Sequence, residues 1–127
     1  MSRAVLDASA IIAVIKRERG AELVIPLLQG APTSTVIIAE VVTWSAREGA
    51  ADDVTERIVN GLELVPEPFD APRAFAAGLL VARTRHRGLS LADRACLALA
   101  MELNLPVLTA DRAWADLDLG IEIRLIR

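Results

Sequence analysis

Apolar positions along this chain change their spacing repeatedly, and the changes predict alternating strands and helices. Ala4, Val5 and Leu6 form an unbroken apolar run, the signature of a short buried strand. Ile11, Ile12 and Ile15 follow at helical spacing, predicting a helix from Ser9 to about Arg17. Asp7 sits at the joint. A second helix starts at Gly20 and carries Leu23, Val24, Leu27 and Leu28; its Pro26 is tolerated only in the first turn or at a kink. After a break at Gly30 to Pro32, Thr33 to Val36 predicts a second strand running into a helix from about Ile37 to Glu48, closed by Gly49. Asp52 to Asn60 is amphipathic and helical, with Gly61 closing it. Leu62 to Val65 predicts a third strand, and Pro66 and Pro68 a loop. Ala71 to Arg87 predicts one long alanine-rich helix ended by Gly88, and Ser90 to Leu103 another. Pro106 to Thr109 predicts strand four and Asp111 to Leu117 a short helix. Ile121 to Ile126 alternates as IEIRLI, which suits an edge strand with one wet face.

Strands separated by helices imply an α/β fold of three layers with a parallel sheet. The 127 residues suit a single domain, 1–127, and a 54% hydrophobic content fills one core. No apolar run is long enough to cross a membrane, and no signal peptide is apparent. The single cysteine, Cys96, has no internal partner and lies in an apolar helical pattern, so an inert buried thiol in a reducing cytoplasm is expected. A net charge of −3 argues against unspecific nucleic-acid binding.

Four carboxylates stand out by position. Asp7 ends strand one, and Asp111 follows strand four in VLTAD. Asp93 lies in SLAD, where Ser90 and Asp93 match a capping box. Glu40 interrupts the apolar TVIIAEVV, which points to a buried carboxylate awaiting a cation or polar site, against the plainer readings of an arginine partner or simple exposure. Asp7 and Asp111 also read simply as N-caps, and Asp116 is a weaker candidate on a solvated face with Asp118. In a parallel sheet the carboxyl ends of strands share one edge, where ligands bind. Acids gathered there repel one another, and a hard divalent cation, Mg²⁺ or Mn²⁺, resolves the repulsion. Zinc is disfavoured, because His86 and Cys96 are the only residues of their types and lack ligand spacing. Such a site can activate water and stabilise a phosphodiester in transit.

LDAS with Asp7, Glu40 after TST, GLSLADRACLALA with Asp93, and PVLTAD with Asp111 together resemble the PIN domain. Within it they are similar to VapC-type ribonuclease toxins of bacterial toxin–antitoxin pairs. The resemblance runs in order through nearly the whole chain; Ala92, where many relatives have glycine, and Pro26 depart from it. It implies a central parallel sheet of about five strands flanked by helices, and a Mg²⁺-dependent endoribonuclease. Asp7 and Asp93 would be the chief metal ligands, with Glu40 and Asp111 completing the site through waters or a second ion. Ser9 and Thr109 match small polar positions that support the acids. The resemblance further implies an RNA substrate, a homodimer, and a cognate VapB-type antitoxin that blocks the acidic groove.

Arg83, Arg85 and Arg87 cluster around TRHRG, shortly before Arg94. They are candidates for holding RNA phosphates, against a plainer role as cations at a helix C-terminus. Trp44 and Trp114 can stack bases but are expected in packing. Receiver domains and haloacid-dehalogenase-like phosphatases also place an aspartate after strand one, but they need a late lysine, and Lys16 is the only lysine here. Two alternatives stay open at this point: a non-catalytic binding module of the same fold, and a metal-dependent nuclease outside toxin–antitoxin systems.

Overall fold

The computed structural model describes residues 3–127. In chain order the elements are β1 (Val5–Leu6), α1 (Ala8–Lys16), α2 (Ala21–Leu28), β2 (Pro32–Ser34), α3 (Thr35–Arg47), α4 (Asp52–Gly61), β3 (Val65–Glu67), α5 (Ala71–Leu79) and α6 (Val81–Thr84). A 3₁₀ turn (Arg85–Arg87) leads to α7 (Leu91–Leu103) and β4 (Val107–Thr109). A second 3₁₀ turn (Arg112–Trp114) precedes β5 (Ile123–Leu125).

The α/β class and the parallel pairing are as the sequence predicts, but the sheet is not one ladder of about five strands. Three strands pair in the order β1-β4-β5, and β2 pairs separately with β3; every pairing is parallel. β2 lies beside β1 without joining its ladder. The backbone accounts for the gap. Val5 and Asp7 both turn their N–H groups to β4, onto the carbonyls of Pro106 (2.8 Å) and Leu108 (3.2 Å). In a parallel strand alternate residues face alternate neighbours. Only Leu6 of β1 therefore faces β2, and Pro32 there has no N–H to offer.

Three further boundaries move. β3 is Val65–Glu67 rather than Leu62 to Val65, so Pro66 sits inside a strand. Val65 donates to the Ala31 carbonyl at 2.9 Å, which turns the Pro66 nitrogen to the unpaired edge, where a missing N–H costs nothing. The predicted helix from Ala71 to Arg87 is interrupted at Leu80 and ends in a 3₁₀ turn. The interruption falls where Arg94 Nη1 donates to the Ala77 carbonyl at 2.9 Å, the acceptor an unbroken helix would give to Val81. Asp111 to Leu117 forms only the second 3₁₀ turn. Pro26 lies within α2, two residues before its end, so little helix follows it.

The core gathers Leu6, Ile11, Ile37, Leu97 and Trp114, all fully buried. α7 packs on β1 and β2, and α1 packs on β4 and α3. Those packings bring the starts of α1 and α7 and the middle of α3 toward one edge. IEIRLI becomes β5 at the sheet's far edge, as its alternation predicts. Cys96 is buried, with Sγ 3.6 Å from the Leu6 carbonyl, as expected of an inert thiol. Trp114 is likewise a core residue. No helix among the described residues is long and apolar enough to cross a membrane.

Candidate active site

Asp7 leaves β1 in extended geometry and caps α1, accepting from the Ala10 N–H at 2.9 Å. It is only 5% exposed, yet it is not left bare. Ser9 Oγ donates to Oδ1 at 2.7 Å, and Thr109 Oγ1, from the end of β4, donates to Oδ2 at 2.6 Å. Burial raises the Asp7 pKa above its ordinary 3.8. The hydrogen bonds from Thr109, Ser9 and Ala10 oppose that rise, and the charge of Asp93 adds to it. A carboxylate offers about four acceptor directions. Three are taken, two of them on Oδ1, which leaves Oδ2 one direction for an incoming ligand.

The two supporting hydroxyls are themselves fixed. Ser9 Oγ accepts from the Ala110 N–H at 2.9 Å, and Thr109 Oγ1 accepts from the Asp111 N–H at 3.0 Å. The Ala110 amide had no signal in sequence, since any residue supplies one.

Asp93 sits in the first turn of α7 within a complete capping box. Ser90 Oγ accepts from the Asp93 N–H, and Asp93 Oδ2 accepts from the Ser90 N–H, both at 3.1 Å. The cap occupies one oxygen and leaves Oδ1 free, so capping and a role in the site are compatible readings. Glu40 corrects the sequence expectation: it is exposed rather than buried, on the flank of α3. Its pKa is still raised above 4.5, first by the partial desolvation of its cleft and then by the charges of Asp93 and Asp7. Asp7, Glu40 and Asp93 thus act on one another electrostatically. Their joint field also adds to the burial that raises the Cys96 thiol pKa.

Asp111 is held by its own turn. Its Oδ1 accepts from the Ala113 N–H at 3.0 Å, capping the second 3₁₀ turn, and it is exposed. Its link to the site runs through its amide and Thr109. Asp116 is paired with the guanidinium of Arg87, with Nε–Oδ1 at 2.8 Å, and lies 3.7 Å from His86.

The arginines divide by employment. Arg83 donates to the Asp118 carbonyl at 2.9 Å, Arg87 is held by Asp116, and Arg94 is half-buried against Ala77. Arg85 is exposed and has no partner among the described residues. Arg47, unremarkable in sequence, lies seven residues beyond Glu40 on α3. Both line a cleft of about 550 Å³ with Trp44. Positions 40, 44 and 47 at helical spacing are the signal that could have found it.

Among the described residues no three carboxylate, histidine or cysteine groups form a ready-made metal cluster. The donor set nevertheless suits one class of ion. Asp7 Oδ2 keeps one open acceptor direction, Asp93 Oδ1 is free, and Glu40 has no protein donor among the described residues. Mg²⁺ binds through one or two carboxylates and keeps several waters, so the residues present fit it. They do not fit zinc, since His86 pairs with Asp116 and Cys96 is sealed in the core.

A family model described as PIN domain matches residues 4–119. No functionally curated protein matches the sequence significantly. Among solved structures, a chain of DNA-bound VapBC from Salmonella typhimurium superposes with a TM-score of 0.76 at 21% identity, covering 100% of both chains. A toxin–antitoxin complex from Klebsiella pneumoniae gives 0.75 at 18% identity over 98% of each chain. Mycobacterium tuberculosis VapC20, described as a sarcin-ricin loop cleaving toxin, gives 0.73 at 17% identity, covering 95% of this chain and 99% of that one. At these identities the likenesses establish the fold.

Proposed function

This chain belongs to the PIN-domain family, and on that premise we propose that it is a metal-dependent endoribonuclease, the VapC-type toxin of a toxin–antitoxin pair. The observation that carries this reading is the acidic edge itself: Asp7 fixed by Ser9 and Thr109 at the end of β1, Asp93 with a free oxygen in the first turn of α7, and Glu40 on α3, where nearby carboxylate charge adds to burial in raising Asp7 and Glu40. The likeness to VapBC chains and to an RNA-cleaving toxin supports it.

Asp7 and Asp93 are the residues that would hold Mg²⁺ or Mn²⁺, with Glu40 acting through water and Asp111 at the margin. When bound, the ion supplies positive charge for the phosphodiester and lowers the pKa of water. The chain's own part is to keep the acids in place. Thr109 and Ser9 offset part of the rise that burial imposes on Asp7 and fix its rotamer. The Ser90–Asp93 box fixes Asp93 at the positive end of α7. Glu40, with its raised pKa, is suited to take a proton from the attacking water. The water oxygen bonds to phosphorus as its proton passes to Glu40, the bond to the 3′ oxygen breaks, and that oxygen takes a proton from solvent water and leaves as a hydroxyl.

The reading includes a cytoplasmic protein that forms a homodimer and is neutralised by a VapB-type antitoxin. The test is cleavage of total cellular RNA by the antitoxin-free protein with Mg²⁺, with chelator, and with Asp7→Asn and Asp93→Asn. Discrete fragments with 5′-phosphate ends, lost with chelator and in both variants, are expected. Ends carrying 2′,3′-cyclic phosphate would overturn the hydrolytic mechanism. Absence of cleavage by folded protein across RNA classes would favour a non-catalytic module.

A further inference from the structure

One face of α3 carries more chemistry than acid catalysis uses. Glu40, Thr43, Trp44 and Arg47 recur at helical spacing along it, and Ala8 and Ile12 of α1 form the opposite wall. The cleft between them measures about 550 Å³, within the range of small-molecule sites, about 300–1,000 Å³. Its composition is graded. At one end stands Glu40, a member of the acidic site. Trp44 follows about 6 Å along the axis and Arg47 about 10 Å along it, at 1.5 Å per residue. Trp44 is half-buried, with part of its surface on the cleft. Arg47 is exposed, and its guanidinium has no carboxylate partner among the described residues. The Thr43 hydroxyl donates to the Ala39 carbonyl at 2.8 Å, which leaves its lone pairs as acceptors.

We propose that this cleft is the subsite for the nucleotide next to the scissile phosphate, with Trp44 as stacking platform and Arg47 as anchor for the following phosphate. This rests on the nuclease reading, since Glu40 ties the cleft to the acids. Two features favour an RNA nucleotide as occupant, the aromatic face of Trp44 and the cation of Arg47. An acidic chain of net charge −3 repels a polyanion overall and needs local anchors for it. A cation at the end remote from the acids supplies one. Protein recognition of single-stranded RNA works by splaying bases onto aromatic faces, which tolerates any base and leaves selection to polar groups such as the Thr43 hydroxyl.

The test uses the full-length protein carrying Asp93→Asn, so that binding is read without cleavage, and a fluorescein-labelled single-stranded RNA decamer of mixed sequence. Trp44→Ala is expected to weaken binding about 5- to 150-fold, the range for losing one stacked base. Trp44→Phe should restore most of it. Arg47→Ala should lower the slope of log K against log salt by about 0.7, one phosphate's worth on a single strand. In parallel, NMR of the two indole N–H signals during titration with 5′-mononucleotides should move Trp44 and leave the buried Trp114 in place. Unchanged decamer affinity in Trp44→Ala and Arg47→Ala, both folded, would overturn the subsite while leaving the nuclease reading intact. So would a Trp44 signal that responds only to antitoxin-derived peptides, which would make the cleft a protein-binding groove. If the protein proves unable to cut RNA but Trp44 and Arg47 still govern decamer binding, the nuclease reading falls and the nucleotide site stands.

Discussion

Thr109 Oγ1 lies 2.6 Å from Asp7 Oδ2, so a hydroxyl at the end of β4 secures the carboxylate at the end of β1. The same oxygen accepts from the Asp111 N–H at 3.0 Å, which orients its proton toward Asp7. Replacing it by an isosteric apolar side chain leaves a buried carboxylate short of a donor. Thr109→Val should destabilise the protein by about 1–3 kcal/mol and lower RNA cleavage, while Thr109→Ser stays near wild type. Urea denaturation of the three proteins beside a cleavage assay checks this; equal stability for Val and Ser would show the hydroxyl to be idle.

Burial raises Asp7 above 3.8, and Glu40 is raised above 4.5. Once pH passes those ordinary values, the native state keeps protons that the unfolded chain has released. The stability tied to these two groups is complete below their unfolded values and is lost as pH rises through the folded ones. Glu102, Asp116 and Glu122 are lowered by their arginine partners and slope the other way, but only below their ordinary values. Above those ordinary values the denaturation midpoint of the metal-free protein should therefore fall as pH rises. Asp7→Asn and Glu40→Gln should each flatten the fall. A midpoint that climbs through the same interval would contradict it.

Mg²⁺ should reverse that loss. An ion bound only by the native state at about 100 times its dissociation constant adds about 2.7 kcal/mol. Thermal melts with and without Mg²⁺ should separate for the wild type and converge for Asp93→Asn. The convergence distinguishes a specific site from general salt effects, which both proteins share.

Arg94 and Arg85 should respond oppositely to substitution. Arg94 is half-buried and spans α7 to the Ala77 carbonyl, so Arg94→Ala removes both packing and a charge-assisted bond and should cost about 1.5–3 kcal/mol. Arg85 is solvent-exposed, and Arg85→Glu should stay within about 0.5 kcal/mol of wild type while weakening RNA binding. Denaturation and salt-dependent RNA binding on both variants separate the structural arginine from the binding one.

Gly20 precedes α2 with φ +99°, and a Cβ there would collide with the carbonyl of Ile126. Gly20→Ala should cost about 2 kcal/mol or more, because strain and overlap add. Calorimetry on the variant, beside Gly30→Ala in open space at φ +78°, separates the overlap from the backbone strain.

What was legible in the sequence was local. The SLAD capping box, the cap at Asp7 and the apolar VLT strand each follow from a few adjacent residues, and each is present. What was illegible depends on distant parts of the chain. Nothing in Ala71 to Arg87 announces that Arg94 will take the Ala77 carbonyl. Nothing in Leu62 to Pro68 tells which edge of a strand Pro66 will face. Glu40 misled for a related reason: its apolar neighbours along the chain lie around the helix, and only packing decides which side of α3 stays wet. Asp7, Asp93 and Asp111 all cap an element of their own, and residue type and strand-end position alone do not tell which of the four acids share a site.

The pairing of β1 with β4 has a consequence in time. Asp7 is made before the strand and hydroxyl that complete its setting, which come about a hundred residues later. At translation rates of about 5–20 residues per second, they follow some 5–20 seconds after it. Until then the first carboxylate of the site lacks its neighbour strand and its closest donor. A ribosome making this protein therefore holds an incomplete acidic edge until Thr109 and its strand have been made.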